Sequence, residues 1–474
     1  MAKKDVFLRD YIKAIRDGNA AVFAGAGLSR SSGYVTWKDL VRPYAEEVGL
    51  NIEEEHDYPA ITQYYVNKVG NRGSINADII EAFDKDVEIN DNVRILTRLP
   101  IYTYWTTNYD HLIEEGLQEA NRKPDVKMEY RQLSTTKRDR DAVVYKMHGD
   151  VDHSSDAVLT KDDYAKYDKS HPFFRSVLQG DLISKTFLFL GFSFEDPNLD
   201  FILSQIRLLL DDSIRNHYCI MKRVSRKDFA DDELYGYRCA QQDCHEADLA
   251  RYGIQTVYVD DYGEITDLLR KIEVAVKTNS VFISGSASVY TPEWPEEKVA
   301  ALAFGLSNKL VKENFKISSG FGFGIGSSVI NGALKEIFSS KYKHIDEHLG
   351  LFPFPQNIRD RAEREKQFEE YRRNIIDENG VIVFLFGNKK DLHNNAIISD
   401  GCMQEYAIAK EKGKTIIPIG STGWAAREIL SDVEMHISDY PYLEPHVAEL
   451  KSENDVDKLI DIVVKISKER RIIH

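Results

Sequence analysis

Short apolar runs alternate with longer amphipathic segments along the first half of the chain. The runs with the length and composition of buried strands are AAVFAG (20–25), IYTYWTT (101–107), AVVYKM (142–147), TFLFLG (186–191), HYCIM (217–221) and QTVYVD (255–260). Between them, the spacing of apolar residues predicts helices that include 37–48, 75–83, 111–119, 199–210 and 264–277. Apolar strands that alternate with helices are typical of a parallel sheet covered on both faces.

The same alternation starts again in the second half of the chain. Its apolar runs are VFISG (281–285), FKISSG (315–320), GLFPF (350–354), VIVFLFG (381–387) and TIIPIG (415–420), with helices predicted at 295–312 and 401–412. A polar stretch, Thr278-Asn279-Ser280, separates the two halves, and we place a domain boundary there. The sequence therefore predicts an α/β protein with two Rossmann-like, doubly wound parallel-sheet domains, residues 1–278 and 279–474.

Composition and charge exclude several classes of protein. The 474 residues are 42% hydrophobic and 29% charged, which is enough apolar material for two packed cores. A net charge of −15 disfavours binding to the phosphate backbone of nucleic acids. The chain has no apolar run of the ~18 residues that a membrane span needs, no signal-peptide core, and only four cysteines. We therefore expect a cytoplasmic protein that binds neither nucleic acid nor membrane.

A glycine-rich turn follows the first predicted strand. It consists of Gly25, Ala26, Gly27, Leu28 and Ser29. Glycine lets a backbone approach a phosphate closely, and the serine adds a hydroxyl, so the turn is a candidate phosphate site. The pattern lacks both the full G-x-G-x-x-G dinucleotide motif and the G-K-[ST] of a P-loop, and a tight strand-to-helix turn without a ligand explains it equally well.

Polar residues also follow three further strands of the first half. They are Asn108 and Asp110, then His148, then Gly191, Ser193 and Asp196. In an open parallel sheet the carboxyl ends of the strands meet at one edge, where an amide can hold a water or a ribose hydroxyl and a histidine can take a proton. Taken singly, each residue is better explained as an Asx turn, a helix cap or a turn-bonded histidine. Four such turns on one sheet favour a ligand site.

The second half carries its own candidate ligand residues. Glycines and serines follow two strands there, and cations and a carboxylate follow later in the chain. The candidates are Gly285, Ser286, Gly320, Gly322 and Gly324, with Arg372 and Lys389 as cations and Glu405 as the carboxylate. Backbone N–H groups at a helix start suit a phosphate, cations suit a diphosphate, and a carboxylate can accept from ribose hydroxyls. A flexible glycine loop and surface ion pairs are the open alternatives.

The first half resembles the sirtuin-type NAD-binding domain, in particular its bacterial anti-phage branch. The resemblance lies in GAGLS, TTNYD, KMHGD and LGFSFEDPNL, which occur in this order over about 170 residues. It implies that residues 25–29 meet the diphosphate of NAD, that Asn108 and Asp110 line the nicotinamide-ribose pocket, and that His148 is the catalytic histidine.

The chain departs from deacylating sirtuins in its cysteines. Those enzymes carry a zinc module of paired C-x-x-C motifs, whereas this chain has one loose pair, Cys239 and Cys244, beside His245, with Cys219 at a distance. A structural zinc needs four ligands, so we expect no metal. Without that module, hydrolysis of NAD as the substrate is favoured over protein deacylation. An ADP-ribosyltransferase and a non-catalytic nucleotide-binding regulator remain alternatives.

The second half is similar to the SLOG family, Rossmann-like domains that bind nucleotide-derived signals. A sirtuin-like half followed by a SLOG half resembles the effectors of Thoeris anti-phage defence. The resemblance implies a TIR-domain partner enzyme that makes a cyclic ADP-ribose isomer, which binds the second domain and activates NAD depletion by a homo-oligomer, a tetramer or larger. It also implies that Arg372, Lys389 and Glu405 contact this signal, with Gly285, Ser286 and the glycine turn around its phosphates.

Overall fold

The computed structural model describes residues 4–194, 196–210, 215–355, 358–391 and 393–471. The chain divides into two compact units, Met1–Glu273 and Val274–His474. The point of division lies inside a helix, Gly263–Lys277, that the sequence predicted at 264–277. The boundary that we placed after residue 278 stays a prediction.

The first unit contains a seven-stranded parallel sheet. Its strands are β1 (Ala20–Ala24), β2 (Thr103–Thr106), β3 (Pro124–Lys127), β4 (Ala142–Lys146), β5 (Thr186–Leu190), β6 (His217–Lys222) and β7 (Ile254–Val259). They are ordered β3-β4-β2-β1-β5-β6-β7, and each neighbouring pair is parallel. Every residue of β1, β2 and β5 is buried, as expected for strands covered on both faces.

Helices surround this sheet. They are α1 (Lys4–Arg16), α2 (Ala26–Ser29), α3 (Trp37–Val48), α4 (Tyr58–Val69), α5 (Gly73–Phe83), α6 (Asp91–Arg98), α7 (Leu112–Glu119), α8 (Tyr130–Leu133), α9 (Lys161–Ala165), α10 (Tyr167–Ser170), α11 (Phe174–Ser184), α12 (Pro197–Leu210), α13 (Asp232–Arg251) and α14 (Gly263–Lys277). The five helices named from the sequence correspond to α3, α5, α7, α12 and α14, with ends shifted by at most two residues.

Strand β3, at the edge of the sheet, was not predicted from the hydrophobic pattern. This strand begins with Pro124 and carries two charged residues, so it has none of the apolar character of the other strands. Asp125 and Lys127 are nevertheless buried and form an ion pair with an N–O distance of 2.9 Å. Proline and charged residues are typical of edge strands, and this explains why hydrophobicity alone did not identify it.

The second unit contains a five-stranded parallel sheet and a short antiparallel ribbon. Its strands are β8 (Ser280–Ser286), β9 (Lys316–Ser319), β10 (Leu349–Leu351), β11 (Val381–Phe386), β12 (Asn388–Lys390), β13 (Ala396–Ile398) and β14 (Thr415–Pro418). The sheet is ordered β10-β9-β8-β11-β14, and β12 pairs with β13. Its helices are α15 (Glu296–Lys312), α16 (Gly326–Ser339), α17 (Ile345–His348), α18 (Arg361–Glu378), α19 (Asp400–Glu411), α20 (Trp424–Met435), α21 (Val447–Ser452) and α22 (Val456–Arg471).

Strand β10 is shorter than the sequence predicted. The apolar run at 350–354 suggested a strand through Phe354, but β10 ends at Leu351. Phe352 N still donates to Ser319 O at 2.9 Å, and the next residue, Pro353, has no N–H to donate. Proline therefore ends the ladder where the apolar run continues.

The two sheets share one topological feature. In the first, β1 lies between β2 and β5, and in the second, β8 lies between β9 and β11, so the order of strands reverses beside the first strand of each unit. This confirms the predicted pair of Rossmann-like, doubly wound domains. Ligands of such sheets bind at the carboxyl ends of the strands beside this reversal. Within the described part of the chain, no helix combines the length and apolar character that a membrane crossing demands.

Candidate functional site

A cavity of about 290 Å³ lies at the carboxyl ends of β1, β2, β4 and β5. The predicted residues that line it are Ala26, Gly27, Ser29, Asn108, Asp110, His148, Gly191, Ser193 and Asp196. Two further predicted residues, Gly25 and Leu28, belong to the same turn and support it through backbone hydrogen bonds. The fold thus brings side chains from four separate segments to one cavity.

Asn108 is held in place by the turn that follows β1. Its side-chain nitrogen Nδ2 donates to Gly25 O at 3.1 Å and to Ser29 Oγ at 2.9 Å. Its backbone N–H donates to Thr106 Oγ1 at 2.9 Å. Because both Nδ2 hydrogens are engaged, the amide offers a ligand its carbonyl oxygen Oδ1 as an acceptor.

His148 lies against a buried carboxylate. Its Nε2 is 3.0 Å from Asp196 Oδ2, as an ion pair rather than a hydrogen bond. Tyr164 donates to the same Oδ2 at 2.9 Å, and the other oxygen, Oδ1, caps helix α12 by accepting from Asn198 N and Leu199 N, both at 3.0 Å. Burial alone would raise the pKa of Asp196, but the charge of His148 and these hydrogen bonds outweigh it and hold that pKa below its ordinary value. Asp196 can therefore stabilise a protonated His148.

Asp110 presents one oxygen to the cavity. Its Oδ1 accepts from Leu112 N, the first residue of α7, at 3.1 Å, which is close to the helix-capping role that the sequence left open for Asp110. Its Oδ2 is buried and has no hydrogen-bond partner among the described residues. A buried carboxylate oxygen without a partner is costly, so it is available to a ligand hydroxyl or a developing positive charge.

The glycines of this site are needed for contact between two turns. A Cβ on Gly191 would lie 2.2 Å from Leu28 N, and a Cβ on Gly25 would lie 2.4 Å from Gly191 O. Gly27 N donates to Gly191 O at 2.9 Å across the same contact. The sequence analysis explained Gly25 and Gly27 by the approach of a ligand. The structure adds a second reason, which is that the turn after β1 packs directly on the turn after β5.

One side of the cavity is apolar and aromatic, and its residues were not predicted from the sequence. The missed lining residues include Val35, Trp37, Leu40, Tyr58, Phe83 and Phe192. The rings of Trp37 and Tyr58 pack edge to face with their centroids 5.4 Å apart. These two residues begin α3 and α4, where an aromatic residue fits the pattern of an ordinary helix core, so the sequence contains no signal that marks them as cavity residues.

A second cavity, of about 440 Å³, lies at the carboxyl ends of β8, β9 and β10. The predicted residues that line it are Gly285, Ser286, Gly320, Gly322, Arg372 and Glu405. Lys389 lines a neighbouring cavity of about 1030 Å³, which shares Arg372 with this one, and it forms an ion pair with Asp400 at 2.5 Å. Gly324 packs instead against Ala287, whose carbonyl oxygen would be 2.1 Å from an added Cβ.

The charges in this second cavity are incompletely balanced. The guanidinium carbon of Arg372 lies 5.1 Å and 5.6 Å from the ring centroids of Phe354 and Phe368. Its buried Nε is 3.7 Å from Glu405 Oε1 and has no hydrogen-bond partner among the described residues. Burial raises the pKa of Glu405 to about 7, although Ser284, which donates to Oε2 at 2.5 Å, and Arg372 both lower it. Near neutral pH the carboxyl is therefore partly protonated, and Arg372 remains available to an anion.

One group of side chains has the spacing of metal ligands. His111, Asp150 and Asp152 place one ligand atom each within 4.8 Å of one another. Asp150 Oδ2 already pairs with Lys146 Nζ at 2.5 Å, and this ammonium disfavours a second cation. All four cysteines are free, and none belongs to this group.

Comparisons with known proteins assign both halves of the chain. Residues 264–470 match the family described as "Sir2- and TIR-associating SLOG family", and residues 102–240 match the "SIR2-like domain". The chain is 43% identical over 469 residues to "NAD(+) hydrolase ThsA" of Bacillus cereus (strain MSX-D12), with 97% of each chain covered. It is 41% identical over 476 residues to "NAD(+) hydrolase ThsA" of Enterococcus faecium, with 98% of each covered.

A more distant similarity covers only part of the chain. "Defense-associated sirtuin 2" of Bacillus subtilis is 27% identical over 222 residues, which are 45% of this chain and 22% of that protein. The near-complete coverage by the first two relatives confirms the resemblance seen in the sequence, a sirtuin-like half followed by a SLOG half. The chain therefore belongs to the ThsA family.

Proposed function

We propose that this chain hydrolyses NAD to ADP-ribose and nicotinamide in the cavity of the first unit. The observation that carries the proposal is the convergence of Asn108, Asp110 and His148, from two strand ends, on one cavity. The relatives named as NAD(+) hydrolases, which cover nearly the whole chain, support the same conclusion.

The reaction breaks the bond between the nicotinamide nitrogen and C1′ of its ribose. The electron pair of that bond returns to the pyridinium ring, which loses its positive charge, and C1′ passes through a state that resembles an oxocarbenium ion. The oxygen of a water molecule then bonds to C1′ and its proton leaves. Since nicotinamide is already a good leaving group, the protein mainly has to orient the ribose, stabilise the cation and position the water.

The cavity residues can divide these tasks among themselves. Asn108 Oδ1, fixed by the bonds of its Nδ2, orients the water, and the unpartnered Oδ2 of Asp110 faces the developing positive charge. His148 takes the proton, and Asp196, 3.0 Å from Nε2, stabilises the imidazolium that results. Turns 25–29 and 191–193 hold the diphosphate end.

Two alanine variants test this assignment. We expect Asn108→Ala and His148→Ala to reduce nicotinamide release by at least about 100-fold, the usual contribution of positioned acid–base groups. Nicotinamide and ADP-ribose are quantified by chromatography, and circular dichroism checks the fold. An exposed histidine outside the cavity lining, His56, provides the control variant His56→Ala. All proteins are assayed with and without cyclic ADP-ribose isomers. Full hydrolysis by either cavity variant contradicts its role, ADP-ribosylated protein indicates a transferase, and no turnover by the wild type under either condition indicates a binding protein.

We further propose that the second cavity senses a cyclic ADP-ribose isomer made by a TIR-domain partner enzyme. The incompletely paired Arg372 supports an anionic ligand there, and the family description "Sir2- and TIR-associating SLOG" supports such a partner. Gly285, Ser286, Gly320 and Gly322 surround its phosphates. The signal activates NAD depletion in the bacterial cytoplasm as a defence against phage. Activation needs arrangements that bind the signal with different affinity. The resemblance to the effectors of Thoeris defence suggests that shifts between subunits of a homo-oligomer, a tetramer or larger, supply these arrangements.

Calorimetry with purified cyclic ADP-ribose isomers tests the sensor. Arg372→Ala is expected to weaken binding by about 10- to 100-fold, the range for hydrogen bonds to a charged group, and to leave basal hydrolysis unchanged. The matched control is Arg373→Ala, because the neighbouring arginine instead pairs with Glu369 and Glu411 at the surface. Unchanged binding by Arg372→Ala contradicts the assignment. Light scattering with and without the isomer measures the assembly.

A further inference from the structure

We propose that Lys146 is a positioning residue that holds the Asn108–Asp110 turn and the His148–Asp150 turn in the register that catalysis requires. The inference rests on the proposed NAD hydrolysis and assigns a role to a buried ammonium group that the mechanism above does not use. Lys146 does not line the cavity, so it acts through the residues that do.

The location of Lys146 in the sheet makes this role possible. Lys146 is the last residue of β4 and lies directly opposite Thr106, the last residue of β2. Asn108 and His148 each follow two residues later along their strands. The two turns therefore leave the sheet side by side, and Lys146 lies at their common base.

The contacts of Lys146 join the two turns. Its Nζ donates to Tyr109 O at 3.1 Å and to Asp110 O at 2.6 Å, both in the turn after β2. The same Nζ pairs with Asp150 Oδ2 at 2.5 Å, in the turn after β4. A backbone hydrogen bond of 3.1 Å, from Val151 N to Tyr109 O, runs beside these contacts.

The cluster is sealed from solvent and its charges depend on one another. Lys146 is 0% exposed, Asp150 1% and Glu114 6%. Burial alone would lower the pKa of Lys146, but Glu114, Asp150 and Asp110 outweigh it and raise that pKa, so the group stays an ammonium ion. His111 Nε2 lies 2.8 Å from Asp150 Oδ1, while Lys146 contacts the other carboxylate oxygen, Oδ2. In a buried cluster, a shift of either turn would separate charges that water cannot screen, and this opposes movement of the turns.

Glu114 contributes charge to the cluster but does not link the two turns. Its Oε1 lies 3.2 Å from Lys146 Nζ, but it belongs to helix α7 and neither of its carboxylate oxygens has a hydrogen-bond partner among the described residues. It balances charge without joining the turns. Glu114→Gln is therefore the comparison variant, since it removes one charge beside the same lysine and leaves both turn contacts in place.

The decisive experiment compares kcat and KM for NAD across three variants. Lys146→Met keeps the aliphatic stem, and we expect kcat to fall at least about 100-fold with KM changed less than about threefold, since misaligned groups lose orientation rather than ground-state binding. Asp150→Asn keeps the shape and removes one link, and we expect a fall in kcat of about 10-fold. Glu114→Gln is expected to lower kcat less than Asp150→Asn does, because it removes a charge and no link between the turns. A folded Lys146→Met protein with kcat within threefold of the wild type overturns the proposal.

Hydrogen exchange separates positioning from a loss of folding and from failure of the proposed reaction. Amide exchange in residues 107–110 and 148–151 is expected to accelerate in Lys146→Met and Asp150→Asn, while β1 and β5 keep their protection. If Lys146→Met does not fold, Asp150→Asn decides: unchanged kcat and unchanged exchange at both turns overturn the proposal. If the wild type releases no nicotinamide with or without cyclic ADP-ribose isomers, the proposed function fails, and amide exchange at the two turns still tests whether Lys146 holds them in place.

Discussion

The two cavities are built on the same topological plan and differ in how their charges are balanced. In the first unit, His148 lies 3.0 Å from Asp196, and Asp150 and Lys146 pair beneath the turns. In the second unit, Arg372 Nε lies farther from its carboxylate partner, 3.7 Å from Glu405 Oε1, and burial raises the pKa of Glu405 to about 7, so this partner is partly neutral near neutral pH. Paired charges hold reactive groups in place before a substrate arrives, whereas an incompletely paired cation gains most when an anion binds. This difference is one reason why we propose chemistry in the first cavity and recognition of a signal in the second.

The glycines show no such difference. A Cβ on Gly25 would meet Gly191 O at 2.4 Å, and a Cβ on Gly285 would meet Leu385 O at 2.3 Å. In each unit a glycine beside the end of the first strand allows the backbone of another segment to approach closely. Glycine-rich motifs at strand ends therefore report the packing of both units, and the charged side chains distinguish their functions.

The largest effect is expected from removing the paired charge of the first cavity. Asp196→Asn should lower kcat for NAD hydrolysis by about 100-fold or more, because the neutral amide still caps α12 but no longer stabilises a protonated His148. The measurement is nicotinamide release at saturating NAD. Asp57→Asn is the matched control, since Asp57 caps α4 by accepting from Ala60 N at 3.0 Å. An Asp196→Asn enzyme as active as this control would remove the carboxylate from the mechanism.

The next largest effect is expected from substituting the glycines at which both units bring two backbone segments into close contact. Gly191→Ala and Gly285→Ala should each destabilise their unit by about 3 kcal/mol, because the new Cβ would lie within 2.3 Å of a backbone atom in both places. Calorimetric unfolding should show a midpoint lower by roughly 6 to 12 °C. Gly180→Ala, in a helix where a Cβ meets nothing within 4 Å, is the control. Unchanged midpoints for both glycine variants would remove the packing explanation.

A smaller effect should follow from the carboxyl of the second cavity. Because burial raises the pKa of Glu405 to about 7, the folded state keeps a proton that the unfolded state releases above pH ~4.5. The free energy of unfolding contributed by this group is therefore present at low pH and is lost as the pH rises through 7, by on the order of 2 kcal/mol between pH 5 and pH 8. Glu405→Gln should lack this loss when denaturant unfolding is measured across that interval. The same pH slope in both proteins would contradict the assignment.

The smallest effect is a loss of stability at low pH, which is opposite in sign to the effect of Glu405 and comes from a histidine of the first unit. Burial lowers the pKa of His217 to about 3, and its Nδ1 accepts from Phe187 N at 3.2 Å, so the folded state needs the neutral ring. Unfolding lets this histidine take up a proton between pH ~3 and ~6.5, which costs about 2 kcal/mol of stability at pH 5 compared with neutral pH. His217→Asn retains an acceptor and should reduce this acid sensitivity in the same measurement. Equal acid sensitivity would show that other groups control it.

Much of the fold could be predicted because its signals are local. The run TFLFLG predicts β5 from six adjacent residues, and the apolar spacing of 37–48 predicts α3 with the observed ends. Strand β3 could not be predicted in this way, because at this sheet edge a proline and an ion pair stand in place of an apolar pattern. The aromatic lining by Trp37 and Tyr58 could not be predicted either, because the sequence at the start of a helix does not indicate which cavity the helix will border.

Local pattern was thus sufficient for the class of fold, for the polar residues that follow each strand and, through their order along the chain, for the resemblance to a sirtuin-like half joined to a SLOG half. Local pattern could not predict which distant segments come into contact. Examples are the contact of Gly25 with Gly191, the position of His148 beside Asp196, and the position of Lys146 between two turns. Strand order and register settle those relationships, because they determine which strand ends become neighbours. Hydrophobic periodicity is encoded over a few residues, whereas distances and charge balance in a cavity arise only when the sheet has assembled.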